Sequence, residues 1–268
     1  MHGLEAKDGD RVIDWSEAAE DYAKHRPGFP DSFYSRLKKF GIGLPGQRVL
    51  DLATGTGTVA RALTKAGCDV VGVDIAEGQI EQATSLARAD GLQAEFNVCP
   101  AEETGLADGS FDIITAAQCW LYFDRERILA EVSRLLAPGG RLVTCHLSWL
   151  SRIDPVAKAT EALILKHNPD WSANDWDGTV PVYPLWYDKQ LKLEGMFYYD
   201  EEIPFTHESW RGRIRASRGI SATLDTEVVS RFDREHEELL QKLVPESFGV
   251  LHRVDAHIFS VPANMVDK

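Results

Sequence analysis

Residues 49–60 read Val49-Leu50-Asp51-Leu52-Ala53-Thr54-Gly55-Thr56-Gly57-Thr58-Val59-Ala60. An apolar run enters a Gly-x-Gly turn, and apolar residues at helical spacing follow at once. A strand turning this sharply into a helix leaves backbone N–H groups facing outward, and the two glycines place no Cβ in the way of a close ligand. The Gly-x-Gly-x-x-Ala pattern alone is shared by several kinds of nucleotide-bearing ligand, so its neighbours have to narrow it.

Outward from this turn, between Arg48 and Leu147, short apolar runs alternate with amphipathic stretches. Strands are predicted at 49–53, 70–74, 94–99, 111–117 and 141–147, and helices at 58–66, 76–90 and 124–136. Asp124 is the expected N-cap of the last of these, and Pro138-Gly139-Gly140 its stop. Such alternation predicts a parallel sheet with right-handed crossovers, covered on both faces, and ligand chemistry beyond the carboxyl ends of its strands. The first 46 residues predict a helical cap, with helices at 16–25 and 30–40 around the breaker Arg26-Pro27-Gly28-Phe29-Pro30. After Leu150 the rhythm is lost for about 40 residues, and the Trp-, Tyr-, Asp- and Pro-rich stretch 168–187 reads as an insertion or lid. A strand near 195–203, helices near 207–216 and 225–243, and a final strand over 249–261 complete the chain. Polar residues between the apolar ones of that last strand predict an antiparallel edge. The organisation expected is a cap over 1–46, a ligand-binding core over 47–150, and a segment 151–268 that inserts into and completes the same domain.

Two carboxylates narrow the ligand. Asp51 lies four residues before Gly55, where it would repel a pyrophosphate but welcome an ammonium or sulfonium. Asp74 closes the next strand 17 residues after Gly57, where an acid accepts hydrogen bonds from both hydroxyls of a ribose. A cationic amino acid joined to a nucleoside meets both conditions, which describes S-adenosylmethionine.

Composition limits the alternatives. The 268 residues are 44% hydrophobic, enough for a sizeable core, and 29 Lys and Arg against 42 Asp and Glu give a net charge of -13. That balance opposes nucleic-acid and anionic-membrane partners, whose affinity comes mainly from cationic side chains. The four cysteines form no Cys-x-x-Cys pair and read as buried free thiols of a reducing compartment. The N-terminal residues lack the basic flank and apolar run of a signal peptide, and no apolar stretch is long enough to span a bilayer, so a cytoplasmic protein is expected. Metal motifs are missing too. Asp175-Trp176-Asp177-Gly178 has the wrong residues at both ends for a calcium loop, and there is no His-Glu-x-x-His.

The chain resembles class I S-adenosylmethionine-dependent methyltransferases, and among them the small-molecule branch that includes trans-aconitate methyltransferase-like proteins. The resemblance is close over 12–147 and loose beyond. It rests on the stretch Tyr22 to Pro30, the Asp51 to Gly57 turn, Asp74-Ile75, Ala101 to Leu106, Ser110-Phe111-Asp112, Gln118 to Asp124, and Leu136 to Gly140. It implies a Rossmann-like α/β sandwich, a mostly parallel seven-stranded sheet with an antiparallel last strand, an N-terminal helical cap and an insertion after the fifth strand. It also implies that Ala53, Gly55 and Gly57 flank the methionine moiety, with Asp51 near its amino group. Asp74 would take the ribose hydroxyls, Ile75 would pack on the adenine, and Ala101 and Glu102 would lie by its amine. Gln118 would line the wall near the sulfonium, while Tyr22 and Arg26 would close over the carboxylate. Relatives of this branch carry a His-Trp pair where this chain has Leu121-Tyr122, so the resemblance carries the cofactor and not the acceptor.

Candidates for the acceptor side come from the residues alone. His146, at the carboxyl end of a central strand, and His25, in the cap, are the candidate bases. Trp120, Tyr122 and Trp149 are candidate walls of an acceptor pocket. Arg211, Arg215 and Arg218 fall on one helical face and would suit a carboxylate-bearing substrate, or else would pair with surface acids; Arg215 and Arg218 are the candidate substrate contacts. The function expected is methyl transfer to a small molecule. Two rivals are an NAD-dependent oxidoreductase, which would lack an acid at position 51, and a non-catalytic binder of S-adenosylmethionine.

Overall fold

A computed structural model of the chain describes residues 7–8, 11–12, 24–25, 27–174, 176–187 and 191–261. The quoted turn forms as read: strand β1 (Arg48–Leu52) runs through it into helix α2 (Thr58–Lys65). Gly57 occupies the helix N-cap in the left-handed region, at φ 73°. Helix α1 (Asp31–Lys39) comes before this unit. After it follow β2 (Asp69–Asp74), α3 (Glu77–Ala89), β3 (Glu95–Val98), β4 (Phe111–Ala117), α4 (Arg125–Leu135) and β5 (Leu136–Trp149). Then come α5 (Pro155–His167), β6 (Lys192–Thr206), α6 (His207–Arg215), α7 (Thr226–Leu243) and β7 (Ser247–Ser260).

The strands form one sheet in the order β3-β2-β1-β4-β5-β7-β6, parallel from β3 to β5 with antiparallel last strands. Asp51 is level with Thr115, Leu52 with Ala116, and Ala117 with Cys145, so the carboxyl ends of β1, β4 and β5 share one edge. On one face the sheet residues Leu50, Leu52, Ile114, Ala116 and Leu142 bury against Ile128, Val132 and Leu135 of α4. Asp124 caps α4 by accepting from the Arg127 N–H at 3.0 Å, as expected of that residue.

The chain divides into two compact units. The first comprises Gly28–Leu147, Val180–Tyr199 and Val254–Lys268, and holds α1 to α4 and the parallel strands. The second comprises Met1–Pro27, Ser148–Thr179 and Asp200–Arg253, where α7 packs on α5 and α6. Strands β5, β6 and β7 have residues in both. The predicted helix at 16–25 lies outside the described residues except for 24–25.

Three expectations need correction. The strand expected at 141–147 runs from Leu136 to Trp149 and takes in Pro138-Gly139-Gly140: α4 stops at Leu135, close to its expected end, and β5 begins at once. Two steps along β4, from Phe111 to Ile113, match five along β5, from Leu136 to Arg141, so the Pro-Gly-Gly run makes a bulge. The supposedly irregular stretch after Leu150 contains α5, whose N-cap Asp154 accepts from the N–H groups of Val156 and Ala157, with Pro155 at the first helical position. The last strand is no edge, because β7 lies between β5 and β6. Its polar residues had read as solvent-facing, yet His252, Asp255 and His257 are buried with partners of their own.

Candidate active site

Asp51 sits on β1 one residue short of the strand end and is wholly buried. Its Oδ2 accepts from the Thr54 hydroxyl and its Oδ1 from the Thr115 hydroxyl, each at 2.6 Å. Loss of water pushes its pKa up to about 6 against the pull of those two hydrogen bonds. A buried carboxylate held by neutral groups, the two hydroxyls and the Ala60 backbone, is a ready partner for a cationic group.

Asp74 ends β2 and faces the glycine turn. Its Oδ2 accepts from the Gly55 N–H and its Oδ1 from the Ala76 N–H, both at 2.9 Å, and a carboxylate has lone pairs left for two hydroxyls. Burial, opposed by those bonds, raises its pKa. Directly beyond it Ile75 is 72% exposed, and Val98, level with Asp74 on β3, is 52% exposed. Two large aliphatic side chains left open beside the Asp74 carboxylate could serve as a platform for a flat apolar ring.

Backbone strain gathers at the same edge. Among the described residues the non-glycine positions with positive φ are Ala53, at 45°, and Gln118, at 60°. They follow directly on β1 and β4. Such conformations cost about 1 kcal/mol or more each and persist where the surroundings impose them. Gln118 is held by its N–H to the Cys145 carbonyl at 2.9 Å and by its side-chain amide to the Leu147 carbonyl at 2.7 Å.

His146 lies on β5 next to Gln118, on the opposite face of the sheet from Asp51. Its Nδ1 is 3.0 Å from Asp255 Oδ1, and the imidazole is 34% exposed while the carboxylate is buried. Asp255 escaped sequence reading. The one available signal was an acid inside the apolar run Val254 to Phe259.

The remaining candidates are placed as follows. Glu102 accepts from the Asp124 N–H at 3.0 Å and so anchors the start of α4, beside the buried Ala101. Trp120 is buried, its ring 4.6 Å from that of Trp186, and Tyr122 packs against the same core; Leu121 between them is 62% exposed. In the second unit Trp149 donates to Glu161 and meets Trp210 edge-on, and His25 is buried against Gly212, 3.7 Å from Glu208. The expected arginine face is corrected. Helix α6 ends at Arg215, which leaves Arg218 off it. Arg215 and Arg211 both pair with Asp233, which holds that carboxyl below its usual range, so they tie α6 to α7. Tyr22 and Arg26 lie outside the described residues.

The first unit's residues fit S-adenosylmethionine on a point the sequence did not show. The Tyr34 hydroxyl, on α1, is buried without a hydrogen-bond partner among the described residues. Burial first, then the charges of Cys145 and Asp51, push its pKa up, so an unused donor and a buried acid occur together. A ligand with a charged amino-acid end would satisfy both.

Comparison with known proteins finds methyltransferases. The family model described as "Methyltransferase domain" matches residues 50–144. An uncharacterized methyltransferase of Mycobacterium tuberculosis is 35% identical over 143 residues, 53% of this chain and 54% of that protein. A demethylmenaquinone methyltransferase of Thermus thermophilus is 44% identical over 100 residues, 36% of this chain and 46% of its own. The chain thus spans about half the length of the curated relatives it matches. A solved structure of a candidate type II methyltransferase from Anaeromyxobacter dehalogenans superposes with a TM-score of 0.59 at 21% identity, over 87% of this chain and 96% of that one, and shares the fold.

Proposed function

We propose that this chain, whose residues 50–144 match a methyltransferase domain, is a class I enzyme that transfers a methyl group from S-adenosylmethionine to a small-molecule acceptor. The observation that carries the reading is the pair of carboxylates around the glycine turn: Asp51, buried and matched to a cation, and Asp74, open to a ribose beside the Ile75 and Val98 platform. When bound, S-adenosylmethionine supplies an electrophilic methyl carbon, whose bonding pair stays on sulfur as an acceptor lone pair replaces it. The chain's own part is alignment. Asp51 and the Tyr34 hydroxyl would hold the amino-acid end, the N–H groups of the turn and Asp74 the middle, and the strained Gln118 backbone would fix the wall of the site. Positioning of this kind supplies much of the rate in a one-step displacement.

An NAD-dependent oxidoreductase draws no support, since Asp51 would stand against a pyrophosphate. A cytoplasmic setting and a lack of nucleic-acid or membrane partners remain part of this proposal; among the described residues no helix is long and apolar enough to cross a membrane. Turnover tests it. The purified chain, given S-adenosylmethionine carrying a labelled methyl group and a panel of small hydroxyl-, amino- and carboxylate-bearing molecules, is expected to release S-adenosylhomocysteine with label in one of them. Tight binding without release in any mixture would favour a non-catalytic binder.

A further inference from the structure

We propose that His146 and Asp255 form a general-base pair, and hence that the acceptor is methylated on a hydroxyl or amine that still holds its proton at neutral pH. The inference rests on the methyl-transfer reading above and names the acceptor class within it.

The two members of the pair are unequally placed. Asp255 is 4% exposed on β7, an interior strand, and its Oδ1 lies 3.0 Å from His146 Nδ1. An ionised carboxylate can only accept, so Nδ1 carries the hydrogen and Nε2 keeps its lone pair. The His146 ring is partly open, and it stands at the strand edge where Gln118 and Ala53 carry their strain. A purely structural ion pair would gain nothing from leaving the imidazole partly open and the acid sealed. A base needs that asymmetry: the fixed acid orients the ring and offsets the charge that a proton brings.

A second histidine keeps the acid available. His257 Nε2 donates to the Pro181 carbonyl at 2.9 Å, so its Nδ1 carries no hydrogen; this nitrogen is buried, has no hydrogen-bond partner among the described residues, and lies 3.9 Å from Asp255 Oδ1. His257 therefore does not compete with His146 as a donor to that oxygen. Burial lowers the pKa of His257, which keeps it neutral. The groups set against His146 are thus Asp255 and His257 from β7, with the Cys145 thiol behind them on the other face of β5.

The proton balance is simple. The acceptor's O–H or N–H bond breaks, its proton moves to His146 Nε2, and its lone pair forms the new bond to carbon; the imidazolium later returns the proton to water. A carboxylate acceptor, already ionised at neutral pH, would need no such pair. Asp255 acts through His146 and is a positioning residue.

The test uses the full chain with 15N-labelled histidine, and diethyl pyrocarbonate as a probe of free imidazole nitrogen. His146→Gln identifies the His146 signals. At neutral pH the His146 resonances are expected to report hydrogen on Nδ1, and carbethoxylation to occur on Nε2. In Asp255→Asn, which keeps the shape, the rate at His146 is expected to fall at least fivefold while other reactive histidines keep theirs. Hydrogen on Nε2 of His146 in the unaltered protein, or a rate indifferent to Asp255→Asn, would overturn the pair. S-adenosylhomocysteine titrated into the same samples reads the cofactor site separately. Its failure to bind would strike the methyl-transfer reading, whereas normal binding with an indifferent His146 would strike only the base.

Discussion

Asp51 is an acid that the fold by itself holds at a cost. Its pKa of about 6 lies above the ordinary 3.8, so its favourable contribution to folding is fully present below the ordinary value and is lost as pH rises through 6. Ionisation at neutral pH therefore costs the unliganded protein about 3 kcal/mol at most. Asp51→Asn is expected to raise the melting temperature of the ligand-free chain at pH 7.5 and to flatten its pH dependence between 4 and 6. The same change should weaken S-adenosylmethionine by at least tenfold, and calorimetry of both would check it. An unchanged affinity would mean that the acid does not face the cofactor. The positions of Asp51, Asp74 and His146 near strand ends were legible because the short apolar runs and the glycine turn fix them in sequence. Asp255 was not, since its bond to His146 spans 109 residues and nothing local announces it.

Among the elements, the turn and the cap of α5 carry the sharpest consequences. Gly57 sits at φ 73°, and a Cβ there would come within 3.0 Å of the Phe96 ring. Gly57→Ala is therefore expected to lose about 2 kcal/mol of stability together with cofactor affinity, read by urea unfolding and titration. Asp154 holds the first turn of α5 through Oδ1, and its Oδ2 accepts from the Leu251 N–H at 2.9 Å. Asp154→Ala should cost about 2 kcal/mol, while Asp154→Ser should recover part of it. The parallel strands and their helices were readable because a period of 3.6 or a short apolar run marks each. The interior position of β7 was hidden, because buried partnered polar residues mimic the alternation of an exposed strand. Helix α5 was overlooked because the aromatic density around it outweighed the signal of Asp154 followed by proline.

Across the molecule, acid acts with opposite signs in the two units. In the second unit burial lowers His236 to about 3 and His252 to about 4, so the stability each contributes is present above its ordinary value and lost as pH falls towards the folded one. Between pH 7.5 and 5.0 these histidines should cost that unit about 2–4 kcal/mol, whereas Asp51 shifts the other way in the first. Hydrogen exchange is expected to accelerate in α7 over that range much more than in β1, and His236→Gln should reduce the difference. Equal acceleration in both would contradict the assignment.

Everything proposed for this chain depends on what its glycine turn binds. The deciding measurement is calorimetric titration of S-adenosylmethionine, S-adenosylhomocysteine and NAD into the full chain and into Asp74→Ala. Binding of the first two at about 10 µM or tighter, lost or weakened at least tenfold in the variant, with no heat from NAD, is the expected result. Binding of NAD alone, or S-adenosylmethionine binding indifferent to Asp74, would contradict it.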